Sequence, residues 1–178
     1  MSKDKLDQIN SYLSFKLGGE TFAANVGKVL NILEMTEITK VPKAPEYMKG
    51  VINLRGTVLP VVDTRIKFNM PATEYTNNTC ILVMEVEVDG EHVQVGGLVD
   101  AVQAVLEIEQ EDILPPPSIG SKYRSEFISG MAKIDDKFIM LLNMDRVFSS
   151  DEIISLKEKT EVSKLQQEEP QENIKEKV

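Results

Sequence analysis

A chain of 178 residues, 42% hydrophobic and 28% charged, can bury roughly 70% of its unfolded surface and is expected to form one domain or two small ones. It has no apolar run near the roughly 18 residues of a membrane span, and MSKDKLDQIN lacks the apolar centre of a secretory signal, so a cytoplasmic protein is expected. A net charge of -9 weighs against nucleic acid, whose binding draws on cationic neutralisation of phosphate, and the single Cys80 has no partner for an internal disulfide.

Residues 1–10 read as a flexible N-terminus. From Tyr12 the apolar residues alternate through Leu13, Phe15 and Leu17, and Gly18-Gly19 turns the chain back into Thr21-Phe22-Ala23, a hairpin signal. Val26, Val29 and Leu30 stand at spacings of three and four, which predicts a short helix. Val41-Pro42 and Ala44-Pro45 make a rigid loop. The stretch GVINLRGTVLPVVDTR, from Gly50, is then a second hairpin turning near Gly56, with Arg55 at the turn; Pro60 cannot donate to a ladder, so its strand has an edge or bulge there. Cys80 opens the apolar strand Ile81 to Met84 as a small hydrophobe. Asp89-Gly90 is a two-residue turn that sets Glu87 opposite His92 and Val86 opposite Val93. Beyond Phe148, Ser149-x-x-Glu152 is a capping box for a helix through about Gln166, and QEEPQENIKEKV is too polar to pack, so 151–178 is a helical to disordered acidic tail.

The second half repeats the grammar of the first. Gly50-Val51 precedes Val61-Val62-Asp63-Thr64-Arg65-Ile66-Lys67-Phe68 by the same spacing as Gly130-Met131 precedes Leu141-Leu142-Asn143-Met144-Asp145-Arg146-Val147-Phe148. Val26-x-x-Val29-x-x-Ile32 is echoed by Val99-x-x-Val102-x-x-Val105, and the Pro42/Pro45 loop by Pro115-Pro116-Pro117. Two related all-β units follow, most simply five-stranded barrels, about 11–78 and 79–150, joined by an apolar seam because units this small are marginal alone.

Nothing in the chain offers chemistry. GxxxxGK[ST], HExxH, CxxC and GxSxG are missing, His92 reads as a solvated neighbour of Glu87, and the carboxylates of residues 107–112 read as an acidic rim. No enzyme activity, metal, cofactor or small-molecule substrate is expected. Residues 79–148 carry thirteen acidic groups against five basic, whereas residues 40–67 gather Lys40, Lys43, Lys49, Arg55, Arg65 and Lys67 against Glu46 and Asp63, a field that could steer an acidic protein partner. Two rival classes are weaker. A ligand-binding regulatory barrel needs a cavity, and the apolar residues are claimed by core and seam. A nucleic-acid-binding barrel needs stacking rings, and only 6% of residues are aromatic.

Taken in order, Tyr12-x-x-Phe15-x-Leu17-Gly18-x-Glu20-x-Phe22-Ala23, Ile38-Thr39-x-Val41-Pro42-x-x-Pro45, Gly50-Val51-Ile52-Asn53-Leu54-Arg55-Gly56, Pro60-Val61-Val62-Asp63-x-Arg65, Val99-Asp100-x-Val102 and Pro115-Pro116-Pro117 closely resemble the CheW-type chemotaxis coupling proteins. The resemblance covers about residues 10–150, and its Asn-Leu-Arg-Gly core is the specific part. It implies two SH3-like five-stranded barrels packed across a hydrophobic seam. It also implies a non-enzymatic adaptor between the regulatory domain of the histidine kinase CheA and the helical hairpin tips of chemoreceptors, recruited to arrays without entering the membrane. The length favours a stand-alone coupler over the same domain within a kinase or a receiver fusion. The family's receptor groove and adjoining kinase contacts map onto Val26, Val29, Asn31, Gly50, Arg55, Cys80 and Val105. The chain departs from the family at Asn31 and Ala104, where an acidic residue is usual, so the arginine's customary acidic partner is an amide here; this points to a divergent paralogue.

Overall fold

The structure, a computed structural model, describes residues 10–116 and 127–148. The expected N-terminal arm before Asn10, the C-terminal helix and tail, and Pro117 of the proline loop lie outside the described residues. Ten strands run in order: β1 (Ser11–Leu17), β2 (Glu20–Asn25), β3 (Val29–Glu34), β4 (Met48–Leu54), β5 (Thr57–Asp63), β6 (Cys80–Val88), β7 (Glu91–Val99), β8 (Ala101–Glu107), β9 (Ile128–Ile134) and β10 (Lys137–Leu142). Two short helices close the halves, α1 (Thr64–Lys67) and α2 (Met144–Phe148).

Four hairpins build the fold: β1–β2, β4–β5, β6–β7 and β9–β10. Each turns on two residues, Gly18-Gly19, Arg55-Gly56, Asp89-Gly90 and Asp135-Asp136, and all eight have φ between 50° and 85°. That is the mirror-image turn whose twist matches the right-handed twist of the flanking strands. In β6–β7 the register is the expected one, with Glu87 opposite His92 and Val86 opposite Val93. The helix expected at Val26–Leu30 is a single 3-10 turn, Val26–Lys28, after which Val29 and Leu30 already belong to β3; its echo from Val99 to Val105 is extended. Both segments have their apolar spacing broken by pairing, since β3 and β8 each find a partner strand along their length.

The strands form two five-stranded sheets, ordered β8-β1-β2-β10-β9 and β3-β6-β7-β5-β4. Each sheet therefore takes its central hairpin from one half of the chain and its other three strands from the opposite half. Consecutive units of 11–78 and 79–150 are not how the strands are shared: the halves exchange hairpins. The chain crosses between the sheets at the Val26–Lys28 turn and again at Asp100, so a hairpin lands in the sheet its successor strands leave. Repeat spacing is local and survives the exchange; it carries no record of which partner a hairpin chooses.

The sheets curl into barrels and close through isolated bridges. Thr39, beyond β3, pairs with Val51 of β4 through N···O distances of 2.9 and 2.8 Å, and Leu114, beyond β8, pairs with Met131 of β9 at 2.7 and 2.9 Å. The repeated glycine explains itself at these points. A Cβ on Gly50, whose φ is +147°, would stand 2.1 Å from the Thr39 carbonyl oxygen, and one on Gly130 would stand 2.5 Å from the Ile113 side chain. Pro60 is also accommodated, because the parallel ladder from β5 to β7 begins only at Val61, leaving the proline where β5 is locally an edge.

Three apolar cores result. One barrel interior holds Tyr12, Ala23, Ile139 and Leu141, and the other holds Ile52, Leu59, Ile81, Val83 and Leu98. Between them lies the expected seam, the largest of the three. Alternation along β6 feeds both: Leu82, Met84 and Val86 face the seam while Ile81 and Val83 face their barrel. Four phenylalanines step across it, Phe15 to Phe22 to Phe68 to Phe127, with ring centroids 6.4, 6.0 and 5.7 Å apart. Pairs at such spacing each contribute about 0.5–1.5 kcal/mol beyond their burial.

Candidate protein-interaction site

Arg55 stands at the tip of β4–β5, exposed, at the first of the two turn positions, with φ +52°. A long side chain adopts that left-handed conformation at a cost of roughly 1–2 kcal/mol relative to glycine. The equivalent position in the other three hairpins holds Gly18, Asp89 or Asp135, residue types suited to it. The arginine is therefore a poor choice for the turn itself, and no hydrogen bond or ion pair holds its guanidinium among the described residues. Its hairpin is firm all the same: Oδ1 of Asn53 accepts the Gly56 N–H at 2.8 Å.

The other candidate residues divide. Val26 and Val29 are half-buried against the seam, and Asn31 is exposed on β3, an edge strand. Cys80 is buried, directly opposite Glu34 of β3, and the Val102 backbone of β8 hydrogen-bonds its sulfur. Burial pushes the thiol above its ordinary 9.0, and the Val102 contact works the other way. Val105, farther along β8, is 59% exposed. Val29, Asn31 and Cys80 thus lie on the paired strands β3 and β6, and β8, the edge strand of the other sheet that carries Val105, meets them at the Val102–Cys80 hydrogen bond. Gly50 and Arg55 sit on the β4–β5 hairpin of the same sheet as β3, which the Thr39–Val51 bridge ties to the chain just beyond β3, with Gly50 buried in that closure. The Asn31 carboxamide oxygen accepts the N–H of its neighbour Ile32 at 2.8 Å, a local bond rather than a tie to Arg55.

Sequence reasoning missed several exposed apolar side chains. Leu30 and Ile32 flank Asn31 and are each about half exposed, with Leu30 the extra residue of a bulge against β6. Gln103 occupies the equivalent bulge of β8. Phe138, beside the β9–β10 turn, is 54% exposed, and its counterpart Val58 lies beside Arg55. A periodic pattern does not distinguish an apolar edge from a core position, and it put Leu30 in a helix where the chain forms β3.

The basic stretch 40–67 also needs correction. Arg65 is buried, its guanidinium 3.6 Å from Asp63 and 3.1 Å from Asp100, donating to the Thr73 carbonyl at 3.2 Å and lying 5.9 Å from the Tyr75 ring centroid. Lys67 lies over the Tyr47 ring at 4.5 Å. Arg65 therefore contributes no open positive charge, and Lys67 is only partly exposed. A solvent-open hollow of about 450 Å³ sits against β2 and β10, lined by Lys16, Lys137, Met131 and Phe138 among others; it is a surface concavity, not a chamber inside a barrel. Among the described residues no helix is long and apolar enough to cross a membrane.

Comparison with known proteins bears on this arrangement. Residues 11–152 match a family described as the CheW-like domain. A chemotaxis protein CheW of Rhizobium meliloti (strain 1021) is 39% identical over 140 residues, covering 79% of this chain and 88% of that protein. One from Klebsiella aerogenes is 32% identical over 142 residues, covering 80% and 83%. Among solved structures, the scaffolding protein TtCheW from Thermoanaerobacter tengcongensis aligns with a TM-score of 0.72 at 30% identity, over 82% of this chain and 91% of that one.

Proposed function

The chain belongs to the CheW-like family of chemotaxis scaffold proteins, and on that footing we propose that it couples chemoreceptor tips to the regulatory domain of a CheA-type histidine kinase. The coupling is non-enzymatic. The protein acts at the cytoplasmic face, in receptor arrays, by holding two partners in a fixed relation. The observation that carries this reading is Arg55: a long cation placed at a strained, exposed turn position, with no intramolecular partner among the described residues. Strain that the fold does not need is a mark of function.

Recognition divides between two places. Arg55 offers a charge-assisted hydrogen bond to a receptor carboxylate or carbonyl. The β3 and β8 edges, with Val26, Val29, Asn31 and Val105, supply an apolar docking surface, and an interface of ordinary size there buries roughly 1,200–2,000 Å² in total. Gly50 and Cys80 support these surfaces from beneath: the glycine closes the barrel that carries Arg55, and the cysteine sits where β3 and β6 meet β8. A receptor helix that shifts against the tip changes how the kinase domain is held, which is how a geometric adaptor transmits a signal.

The test is co-sedimentation of the protein with receptor-bearing membranes and purified CheA-type kinase, with kinase autophosphorylation measured in its presence and absence. A ternary pellet and a changed phosphorylation rate are expected; failure of both would falsify the coupling reading. Arg55→Glu is expected to weaken receptor association at least about tenfold, the loss of one charged hydrogen bond, while leaving the thermal midpoint in place.

A further inference from the structure

Residues 53–56 read Asn-Leu-Arg-Gly, and the turn they form is made of unequal parts. Gly56, at φ +83°, meets the turn's conformational demand on its own, whereas Arg55 does not. A two-residue turn also leaves the N–H of its second central residue without a backbone acceptor. At Gly56 that N–H is taken up by Oδ1 of Asn53 at 2.8 Å, from the last strand residue but one before the turn. In the equivalent hairpin Lys133 stands where Asn53 does, and it reaches Asp136 only as an exposed ion pair at 3.7 Å. There the turn residues are aspartates, which enter the left-handed region readily. The side-chain brace therefore occurs in the copy of the hairpin whose first turn residue is unsuited to its place.

Resting on the coupling reading above, we infer that Asn53 is the positioning residue of the recognition arginine. Its carboxamide locks a turn that Arg55 would otherwise leave loose, and thereby fixes the direction in which the guanidinium leaves the tip. An unlocked tip samples several geometries, and a partner must then order it on binding, which lowers affinity without removing any contact. Asn53 itself touches no partner in this arrangement.

Wild type, Asn53→Ala, Arg55→Ala and the double variant are titrated against receptor-bearing membranes with purified CheA-type kinase present. Thermal midpoints and hydrogen exchange of the Gly56 amide are followed in parallel. Asn53→Ala is expected to weaken association about fivefold, the share of one neutral hydrogen bond, to expose the Gly56 amide, and to have no further effect once Arg55 is alanine. Additive losses in the double variant would mean that Asn53 contacts the partner directly, which overturns the positioning role and leaves the coupling reading standing. If Arg55→Ala and Asn53→Ala both bind as wild type, the recognition role of Arg55 and the positioning role of Asn53 fall together; the coupling reading falls only if wild type itself fails to join the ternary pellet and to change kinase output. Asn53→Asp keeps an oxygen acceptor and should restore amide protection and binding; restored protection with binding no better than Asn53→Ala overturns the proposal.

Discussion

The two halves of the molecule place an ion pair at the same structural crossing, with the signs reversed. In one, Arg65 at the start of α1 meets Asp100 in the link between β7 and β8; in the other, Asp145 at the start of α2 meets Lys28 in the link between β2 and β3. Each aspartate also accepts a backbone N–H from the neighbouring hairpin, Asp100 from Gly18 at 2.8 Å and Asp145 from Glu87 at 2.9 Å. The difference lies in burial. The two paired aspartates are alike, 29% exposed for Asp100 and 32% for Asp145, but Arg65 is 4% exposed against 27% for Lys28, and Arg65 also faces a second, buried carboxylate, Asp63 at 1%. Both halves thus tie the barrels at the same place with different chemistry: one crossing has a buried cation between two carboxylates, the other a half-open pair.

Breaking the buried crossing should have the largest effect. Arg65→Met leaves Asp63 without its cation in an apolar setting, and a loss of about 3–5 kcal/mol in chemical denaturation is expected; a loss near that of Lys28→Met would erase the contrast. The barrel closures come next. Gly50→Ala drives a Cβ into a backbone oxygen at a left-handed residue and should cost about 3 kcal/mol. For Gly130→Ala the nearest atom belongs to the Ile113 side chain, which can yield, so about half that loss is expected in the same melts. Lys28→Ala should cost less than about 1 kcal/mol, since its pair is open to water, and salt should shrink the difference further. Arg55→Asn has the opposite sign: the turn gains up to about 1 kcal/mol of stability while receptor association falls.

The smallest effect concerns the thiol. With its proton held more tightly in the folded chain, Cys80 remains protonated at pH values where the unfolded chain has ionised. Its contribution is therefore complete below about pH 9 and is lost as pH rises through the folded value. Melts of wild type should lose stability above that point relative to Cys80→Ala, and alkylation at pH 8 to 9 should run slower than for a free cysteine.

Local chemistry was legible in the sequence and long-range choice was not. The Gly18-Gly19 and Asp89-Gly90 turns, the β6–β7 register and the apolar seam all follow from neighbours a few residues apart. The hairpin exchange does not, because both arrangements satisfy the same alternation. Arg65 read as a surface charge for a similar reason: its counter-ion Asp100 lies beyond the whole β6–β7 hairpin in sequence. At the candidate site, Gly56 announced the turn that carries Arg55, while the burial of Gly50 and Cys80 depended on Thr39 and Val102, which only the closed barrels bring near. Val26, Val29 and Leu30 looked like one face of a helix, whereas Val29 and Leu30 open the edge strand β3.

The exchanged hairpins also set a schedule for folding. Tyr12 pairs with Leu106, and Phe22 with Met140, so the first hairpin finds its sheet neighbours only after most of the chain has been synthesised. Contacts this distant in sequence make folding slow, and a nascent chain displays unpaired strand edges while it waits. A ribosome stalled near residue 78 would hold β1–β5 with neither sheet complete, so both barrels wait on strands made in the second half of synthesis.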